Sequence, residues 1–233
     1  MNNRNQKGIN EPRKPSKNSD GDKTKQIKSQ KRVDDHGEVF TPKATVESML
    51  SLVEDETKRI DSRVLEPACG SGNFLVPVLQ KKLEAAAQKY SYSQFEKEHY
   101  CLLAIMSVYG IDILKDNVEE CKENLMHTLS RTTGASDLLR QAAKNVLSIN
   151  IINGNALEMK TAEGEEITFS EWGYLGKGKY QRREFMFNSL TLSSTFSSSE
   201  SLFSTLGRHE IFSPLRTYMP IRMEDIAKLE AVS

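Results

Sequence analysis

The feature that most constrains this sequence is a glycine turn between a short apolar run and a helical pattern. Residues 63–67 predict a short buried strand, residues 68–72 a turn with two glycines, and residues 73–88 a helix. Glycines at the end of a strand let the backbone approach a ligand closely, and the next helix directs its positive N-terminal end toward that ligand. Taken alone, the turn is equally consistent with a ligand site and with a tight connection.

Strands and helices alternate through the middle of the chain. Apolar spacing predicts helices over 45–58, 93–107, 115–129 and 136–147, and strands over 108–112 and 150–153. Helices of this length between strands predict parallel strands that are joined by right-handed crossovers. The sequence therefore predicts an open α/β sheet.

The first 35 residues are basic and contain almost no large apolar side chain. They hold ten Lys or Arg against five Asp or Glu, whereas the remainder holds twenty-two against twenty-seven. Such a segment cannot bury enough surface to offset the entropy of ordering it, so we predict a disordered tail. A solubilising role is favoured over a role as an arm that contacts nucleic-acid phosphates.

Composition excludes several classes of protein. The cysteines show no paired spacing, which predicts reduced thiols, and the histidines show no ligand spacing, so no metal site is predicted. A polar start and the absence of a long apolar run predict neither a signal peptide nor a membrane helix, and hence a cytoplasmic location. The residues concerned are Cys69, Cys101, Cys121, His36, His99, His127 and His209.

Polar residues stand at the ends of the second and third predicted strands. Asp112 ends the second strand, and its carboxylate offers two acceptors to the vicinal hydroxyls of a ribose. Asn155 follows the third strand, and its amide presents a donor and an acceptor in one plane. Each also has an ordinary explanation, as a helix-flanking Asp or a loop Asn. Because the carboxyl ends of parallel strands meet at one edge, both are expected to converge with the glycine turn on one crevice.

Four strings occur in order along the chain: GEVFTP at 37–42, LEPACGSGNFL at 65–75, YGIDIL at 109–114 and NGNAL at 153–157. Together they resemble the N6-adenine DNA methyltransferases of restriction-modification systems, over residues 35 to 159. The resemblance implies an α/β fold of the Rossmann-like, S-adenosylmethionine-dependent methyltransferase type. The implied arrangement is a three-layer αβα with a mainly parallel sheet, incomplete at its catalytic half.

The resemblance also implies which residues bind S-adenosylmethionine. Thr41 would bond the methionine carboxylate, Asp112 would bind the ribose, and Ile113 would lie beside the adenine ring. Asn155 would read the adenine amino edge. The whole expected set is Phe40, Thr41, Pro42, Glu66, Pro67, Ala68, Cys69, Gly70, Asn73, Phe74, Asp112, Ile113, Asn155 and Ala156.

One element of the family pattern is absent. Family members place Asn or Asp, Pro-Pro and an aromatic residue at the end of a fourth strand, and no such tetrapeptide occurs in this sequence. No catalytic residue is therefore identified. We expect a DNA methyltransferase that is truncated or split, with DNA and a second polypeptide as partners. The alternatives are a non-catalytic S-adenosylmethionine-binding module and, ranked last, a small-molecule or protein methyltransferase.

The missing fourth strand has a structural consequence. In the family it flanks the first strand, so its loss leaves an open sheet edge, which residues 166–169 or another polypeptide must cover.

Three domains are predicted along the chain: a tail over 1–35, a cofactor-binding domain over 36–160 and an irregular extension over 161–233.

The extension contains three further features. Residues 191–204 read as a low-complexity loop, and 225–231 as a short helix. Between them and the cofactor-binding domain, basic residues alternate with aromatic ones and either contact nucleic acid or form a solvated loop, which is favoured. These residues are Lys177, Lys179, Arg182, Arg183, Tyr174, Tyr180 and Phe185.

Overall fold

The computed structural model describes residues 28–36, 41–189 and 213–229. The chain divides into two compact units, residues 1–42 and 43–233. In the first unit, helix α1 spans Gln30–His36. This helix lies in the segment where composition predicts disorder and crosses its predicted boundary at residue 35, whereas residues 1–27 are outside the described part.

The second unit opens with two short helices where the sequence predicts one. Helix α2 spans Lys43–Leu52 and helix α3 spans Glu54–Lys58. Val53 separates them because its backbone, at φ −116° and ψ 28°, is not helical. Three acidic residues then fill the first turn of α3, which suits the positive end of a new helix.

A mainly parallel sheet of four strands forms the centre of this unit. The strands are β1 (Val64–Glu66), β2 (Val108–Asp112), β3 (Ile151–Asn155) and β4 (Lys160–Thr161). They are ordered β1-β2-β3-β4, with the first three parallel and β4 antiparallel to β3. Every residue of β2 is buried, as expected for a strand flanked on both sides. The prediction of a mixed α/β unit with a mainly parallel sheet is confirmed.

Four long helices pack on one face of this sheet. They are α4 (Leu75–Lys89), α5 (Gln94–Met106), α6 (Lys115–Thr133) and α7 (Asp137–Asn150). Their apolar sides share one core with Val108 and Ile151. The helix ends follow local signals, since the Ser93 and Ser136 hydroxyls accept from Glu96 and Leu139 amides. All four helices correspond to predicted ones.

The opposite face of the sheet carries aromatic side chains. Tyr109 and Ile111 of β2 pack there with Ile167, Phe169 and Phe187, and Phe187 begins a helical stretch over 187–189, where this described range ends. The described residues place only this short helical stretch on the face, so they do not display the second helical layer of the three-layer arrangement expected from the resemblance. The physical reason is that the chain after β4 forms antiparallel strands, which bring aromatic residues to this face.

Those strands form a second sheet. It comprises β5 (Thr168–Gly176), β6 (Lys179–Met186), β7 (Arg216–Thr217) and β8 (Ile221–Arg222), with β6 paired to the other three. Lys177 and Gly178 join β5 to β6 at positive φ angles of 52° and 74°. The expected irregular extension is thus regular over 168–186, and the expected solvated loop is a strand.

The second sheet is anchored at the amino ends of the parallel strands. The Trp172 indole donates to Asn150 Oδ1 over 3.2 Å, and Asn150 Nδ2 donates to the Val108 carbonyl over 3.1 Å. Farther along, the Tyr180 hydroxyl lies 2.6 Å from His99 Nδ1 and donates to the His99 carbonyl at 3.1 Å. The carboxyl ends of the parallel strands remain clear of these contacts.

The chain ends, in its described part, with helix α8 (Met223–Ile226), close to the helix predicted over 225–231. The Ile226 carbonyl accepts from Asn145 of α7. None of the helices in the described ranges has the length and apolar character to cross a membrane. The low-complexity stretch over 191–204 lies outside the described residues.

Candidate functional site

The glycine turn follows β1 and folds onto the end of β2. Gly70 and Gly72 have φ angles of +52° and +92°, which residues other than glycine rarely adopt. The Gly72 amide donates to the Cys69 carbonyl, and the Cys69 amide donates to the Ile111 carbonyl, each over 2.9 Å. The turn is thereby fixed at the carboxyl edge of the sheet.

The Asp112 carboxylate connects this turn to β2. Its Oδ2 accepts from the Gly70 amide over 2.8 Å, and its Oδ1 accepts from Leu114 at 2.9 Å and Asn117 Nδ2 at 3.3 Å. Asp112 is only 8% exposed. A carboxylate offers about four acceptor positions, so three internal donors leave one position open. A ribose diol that used both oxygens would compete with the long Asn117 contact.

Close packing also holds the turn in place. A Cβ on Gly110 would lie 2.9 Å from Cys69 Sγ and 3.1 Å from Leu75 Cδ1, so the turn needs glycine at this point of β2. A hydrogen bond with Cys121, together with burial, raises the pKa of the Cys69 thiol far above its ordinary range. The Cys69 thiol is therefore neutral and packs in the core, and Cys69 contributes to the turn through the hydrogen bonds of its backbone.

Glu66 is the last residue of β1 and is half-buried. Burial raises the pKa of its carboxyl, while a hydrogen bond from the Ala68 backbone acts in the opposite direction. Pro67 and Ala68 are exposed beyond it. The Glu66 carboxyl thus stands at the entrance to the glycine turn.

Asn153 fixes the start of the loop after β2. Its Nδ2 donates to the carbonyls of Asp112 over 2.9 Å and Ile113 over 3.1 Å. The Ile113 side chain is 54% exposed at the same edge, where a flat apolar ligand could pack on it. Asn124 of α6 acts similarly on the glycine turn, because its Nδ2 donates to the Ser71 carbonyl over 2.9 Å.

Asn155 differs from the expectation because the oxygen of its side-chain amide already accepts hydrogen bonds within the chain. Its Oδ1 accepts from the backbone of Leu157 at 2.9 Å and Glu158 at 3.3 Å, which closes a local turn. The acceptor is thus already used, and the Nδ2 group is the part that remains for a ligand. Ala156 packs against the aromatic cluster on the open face of the sheet.

The remaining expected residues fall into three groups. Phe40 is outside the described residues, and Thr41 and Pro42 are exposed residues of the first unit. Asn73 is exposed beside the glycine turn, and Phe74 is partly buried against the helical core. The structure therefore joins Gly70 to Asp112 directly and sets Glu66, Ile113 and Asn155 at the ends of adjacent strands.

Sequence reasoning missed three amides: Asn117, Asn124 and Asn153. Asn153 belongs to the NGNAL string, so its position was marked although its role was not. Asn117 lies in the first turn of α6 and Asn124 lies farther along the helix, and at neither position does a side-chain amide have a recognisable local signature.

Residues 26–153 match the family described as N-6 DNA Methylase, which is more than half of the chain. This chain belongs to the N-6 DNA methylase family. The match includes the glycine turn, Asp112 and Asn153, and it ends two residues before Asn155. Within the part of the chain that the structure describes, no three His, Cys, Asp or Glu residues are placed to hold a metal ion.

One curated relative is the type I restriction enzyme MjaVII methylase subunit of Methanocaldococcus jannaschii. It is 35% identical over 79 residues, which is 33% of this chain and 13% of the relative. The chain therefore aligns with only a small part of that subunit. No solved structure matches the chain.

The basic and aromatic residues of the second sheet do not form a surface that stacks on bases, which was the less favoured of the two interpretations of the sequence. Tyr180 is fully buried, and Tyr174 packs against His99 and Tyr100. Arg182 lies over the rings of Trp172 and Tyr218. These aromatic rings pack against other residues of the chain, so they are not free to stack on bases.

Proposed function

We propose that this chain is the S-adenosylmethionine-binding part of an adenine-N6 DNA methyltransferase of a restriction-modification system. Its parallel sheet is taken to be the first half of a Rossmann-like methyltransferase fold, and its action is placed in the cytoplasm. The observation that carries the proposal is the hydrogen bond from the Gly70 amide to the Asp112 carboxylate. It unites a glycine turn and a carboxylate at the ends of neighbouring parallel strands, within the family match.

The residues at this edge fit the cofactor. S-adenosylmethionine supplies an electrophilic methyl group when it is bound. Gly70 and Gly72 supply the positive φ angles that hold the turn beside Asp112, and Asp112 accepts from ribose hydroxyls. Ile113 offers an exposed apolar surface for the adenine ring, and the half-buried Glu66 bounds the methionine side.

The acceptor amine must be activated by other residues. Because the sequence lacks the Asn/Asp-Pro-Pro-aromatic tetrapeptide, it offers no evident carbonyl pair to accept protons from an adenine amino group. A second polypeptide is proposed to supply these contacts and to help bind DNA. The name of the curated relative, a methylase subunit, supports an assembly of several chains.

Calorimetric titration with S-adenosylmethionine tests the cofactor site. We expect saturable binding that weakens about tenfold or more in Asp112→Asn, because a charged acceptor for the ribose is lost. Glu123→Gln is the matched control, since Glu123 is exposed on the outer side of α6. Absence of binding to the unaltered chain would refute the proposed function.

A non-catalytic cofactor-binding module is the second candidate, and the missing tetrapeptide favours it. The two functions are separated by incubating the chain with labelled S-adenosylmethionine and DNA, alone and with the product of the adjacent reading frame. Methyl transfer that requires the second product supports the methyltransferase. Cofactor binding without transfer in either mixture supports the module.

A further inference from the structure

Among the residues that the structure describes, no strand pairs with the outer edge of β1. The Val64 amide donates to the Ser107 carbonyl over 2.9 Å, so Val64 and Glu66 direct their backbone groups toward β2. Alternation along a strand then turns the N–H and C=O of Leu65 to the other side. In the part of the chain that the structure describes, β1 ends the sheet on this side, and neither β5 nor β6 pairs with it. Leu65 thus presents one donor and one acceptor to an added strand.

A cavity of about 460 Å³ lies beside this edge, on the face of the sheet away from the helices. Its apolar walls are the side chains of Leu65, Tyr109, Phe169 and Phe185. Leu65 is 39% exposed although it lies opposite the buried Tyr109 in the strand register. The cavity therefore has room for a large apolar side chain next to the free backbone groups.

The rim of the cavity has an excess of positive charge. Glu171 forms ion pairs with both Arg63 and Arg183, so two guanidinium groups share one carboxylate. The two arginine side chains are 56% and 48% exposed, whereas that of Glu171 is 16% exposed. Each arginine has further donors that can reach a ligand. One additional carboxylate at this rim would complete the charge balance.

We infer that this edge and cavity bind an extended segment of a partner polypeptide. The segment pairs with Leu65 as an added strand, places a large apolar side chain in the cavity and presents an Asp or Glu carboxylate to Arg63 and Arg183. The free N–H and C=O of Leu65 favour a peptide over a small carboxylate. The pairing is short, because Pro67 has no N–H to offer. This inference deepens the proposed need for a second polypeptide, on which its biological role rests.

Fluorescence anisotropy with a synthetic peptide tests the inference. The probe is a labelled, capped heptapeptide of threonines with phenylalanine at its centre and glutamates two residues to either side, which places all three side chains on one face. We expect saturable binding that weakens about tenfold in Arg183→Gln and in Leu65→Glu. Arg131→Gln and Leu175→Glu are the matched controls, since both residues are exposed elsewhere on the unit.

A measurement on the unaltered chain guards against misfolded variants. Saturation with the peptide is expected to slow hydrogen exchange at the Leu65 amide, because that N–H becomes paired. No saturable binding, equal binding of a peptide with lysines in place of the glutamates, or unchanged exchange at Leu65 would each overturn the inference.

Two other occupants give distinct results that also overturn it. Phenylpropionate binding as tightly as the peptide would assign the cavity to a small carboxylate. A dimer in sedimentation that dissociates in Leu65→Glu would assign the edge to a second copy. Peptide binding is measured without cofactor or DNA, so its failure is distinguishable from failure of S-adenosylmethionine binding.

Discussion

Gly110 lies in the middle of β2, where it is close to Cys69 in the glycine turn and to Leu75, the first residue of α4. A methyl group there would come within 2.9 Å of Cys69 Sγ and 3.1 Å of Leu75 Cδ1. Both neighbours belong to a core in which buried side chains have little room to move. The missing side chain of Gly110 thus sets how closely the proposed cofactor turn approaches Asp112.

Gly110→Ala is expected to lower both the stability and the cofactor affinity of the chain. Overpacking of this kind costs about 1–3 kcal/mol, and displacement of the turn weakens the Gly70 to Asp112 bond. Denaturant unfolding and S-adenosylmethionine titration measure the two effects. Gly173→Ala in β5 is the control, because its added Cβ meets nothing within 4 Å. Equal behaviour of the two variants would show that the turn tolerates displacement.

At the scale of elements, the hairpin of β5 and β6 is held to α5 by a buried aromatic cluster. Tyr180 is fully buried and joins His99 through two hydrogen bonds, while Tyr174 stacks on the His99 ring at 5.5 Å. Burial raises the pKa of the Tyr180 hydroxyl, so it stays protonated and can donate. These polar contacts orient the hairpin, because a buried donor or acceptor without a partner is costly.

Tyr180→Phe is expected to reduce the free energy of unfolding by about 1–2 kcal/mol, since His99 Nδ1 and the His99 carbonyl lose their partner. Tyr92→Phe removes a hydroxyl from an exposed ring, so its stability should match that of the unaltered chain. Chemical denaturation followed by tryptophan fluorescence reports the change, because Trp172 lies in the same hairpin. A Tyr180→Phe variant as stable as Tyr92→Phe would contradict the role assigned to these bonds.

The same cluster predicts a pH dependence. Burial lowers the pKa of His99, so the folded state favours the neutral imidazole. As the pH falls below 6.5, the unfolded chain binds a proton that the folded chain does not, and stability is lost through the window down to the folded pKa. Between pH 7.5 and pH 5.5, the free energy of unfolding should therefore fall more in the unaltered chain than in His99→Gln. His127 is exposed, so the free energy of unfolding of His127→Gln should fall by as much as that of the unaltered chain. An equal fall in His99→Gln would refute the prediction.

At the scale of the whole molecule, the parts predicted correctly are those with local signals. The predicted bounds of β2, Val108–Asp112, are confirmed, because an apolar run ends at an acidic residue shortly before α6 begins at Lys115. The hairpin was missed because Lys179, Arg182 and Arg183 interrupt the apolar alternation of β6. Its burial depends on Asn150 and His99, which are 22 and 81 residues away from their partners in the chain. Such distant contacts leave no periodic trace in a sequence.

The site shows the same division. Gly70, Gly72 and Asp112 were predicted because a turn and a strand end mark them, and the structure joins two of them by a hydrogen bond. The occupied acceptor of Asn155 could not be predicted, since it depends on the backbone path of residues 155–158. The ion pairs of Glu171 with Arg63 and Arg183 were also beyond sequence reasoning, because they join β5, β6 and the start of β1.

Asn150 and Trp172 tie the hairpin to the amino ends of the parallel strands, whereas the glycine turn and Asp112 occupy the carboxyl ends. Five residues of strand, about 17 Å, separate the two. Substitutions in the glycine turn and in the loop after β2 consequently leave these two hydrogen bonds of Asn150 intact. The residues that contact a ligand at the carboxyl ends can thus change without loss of the contact between the hairpin and the parallel sheet.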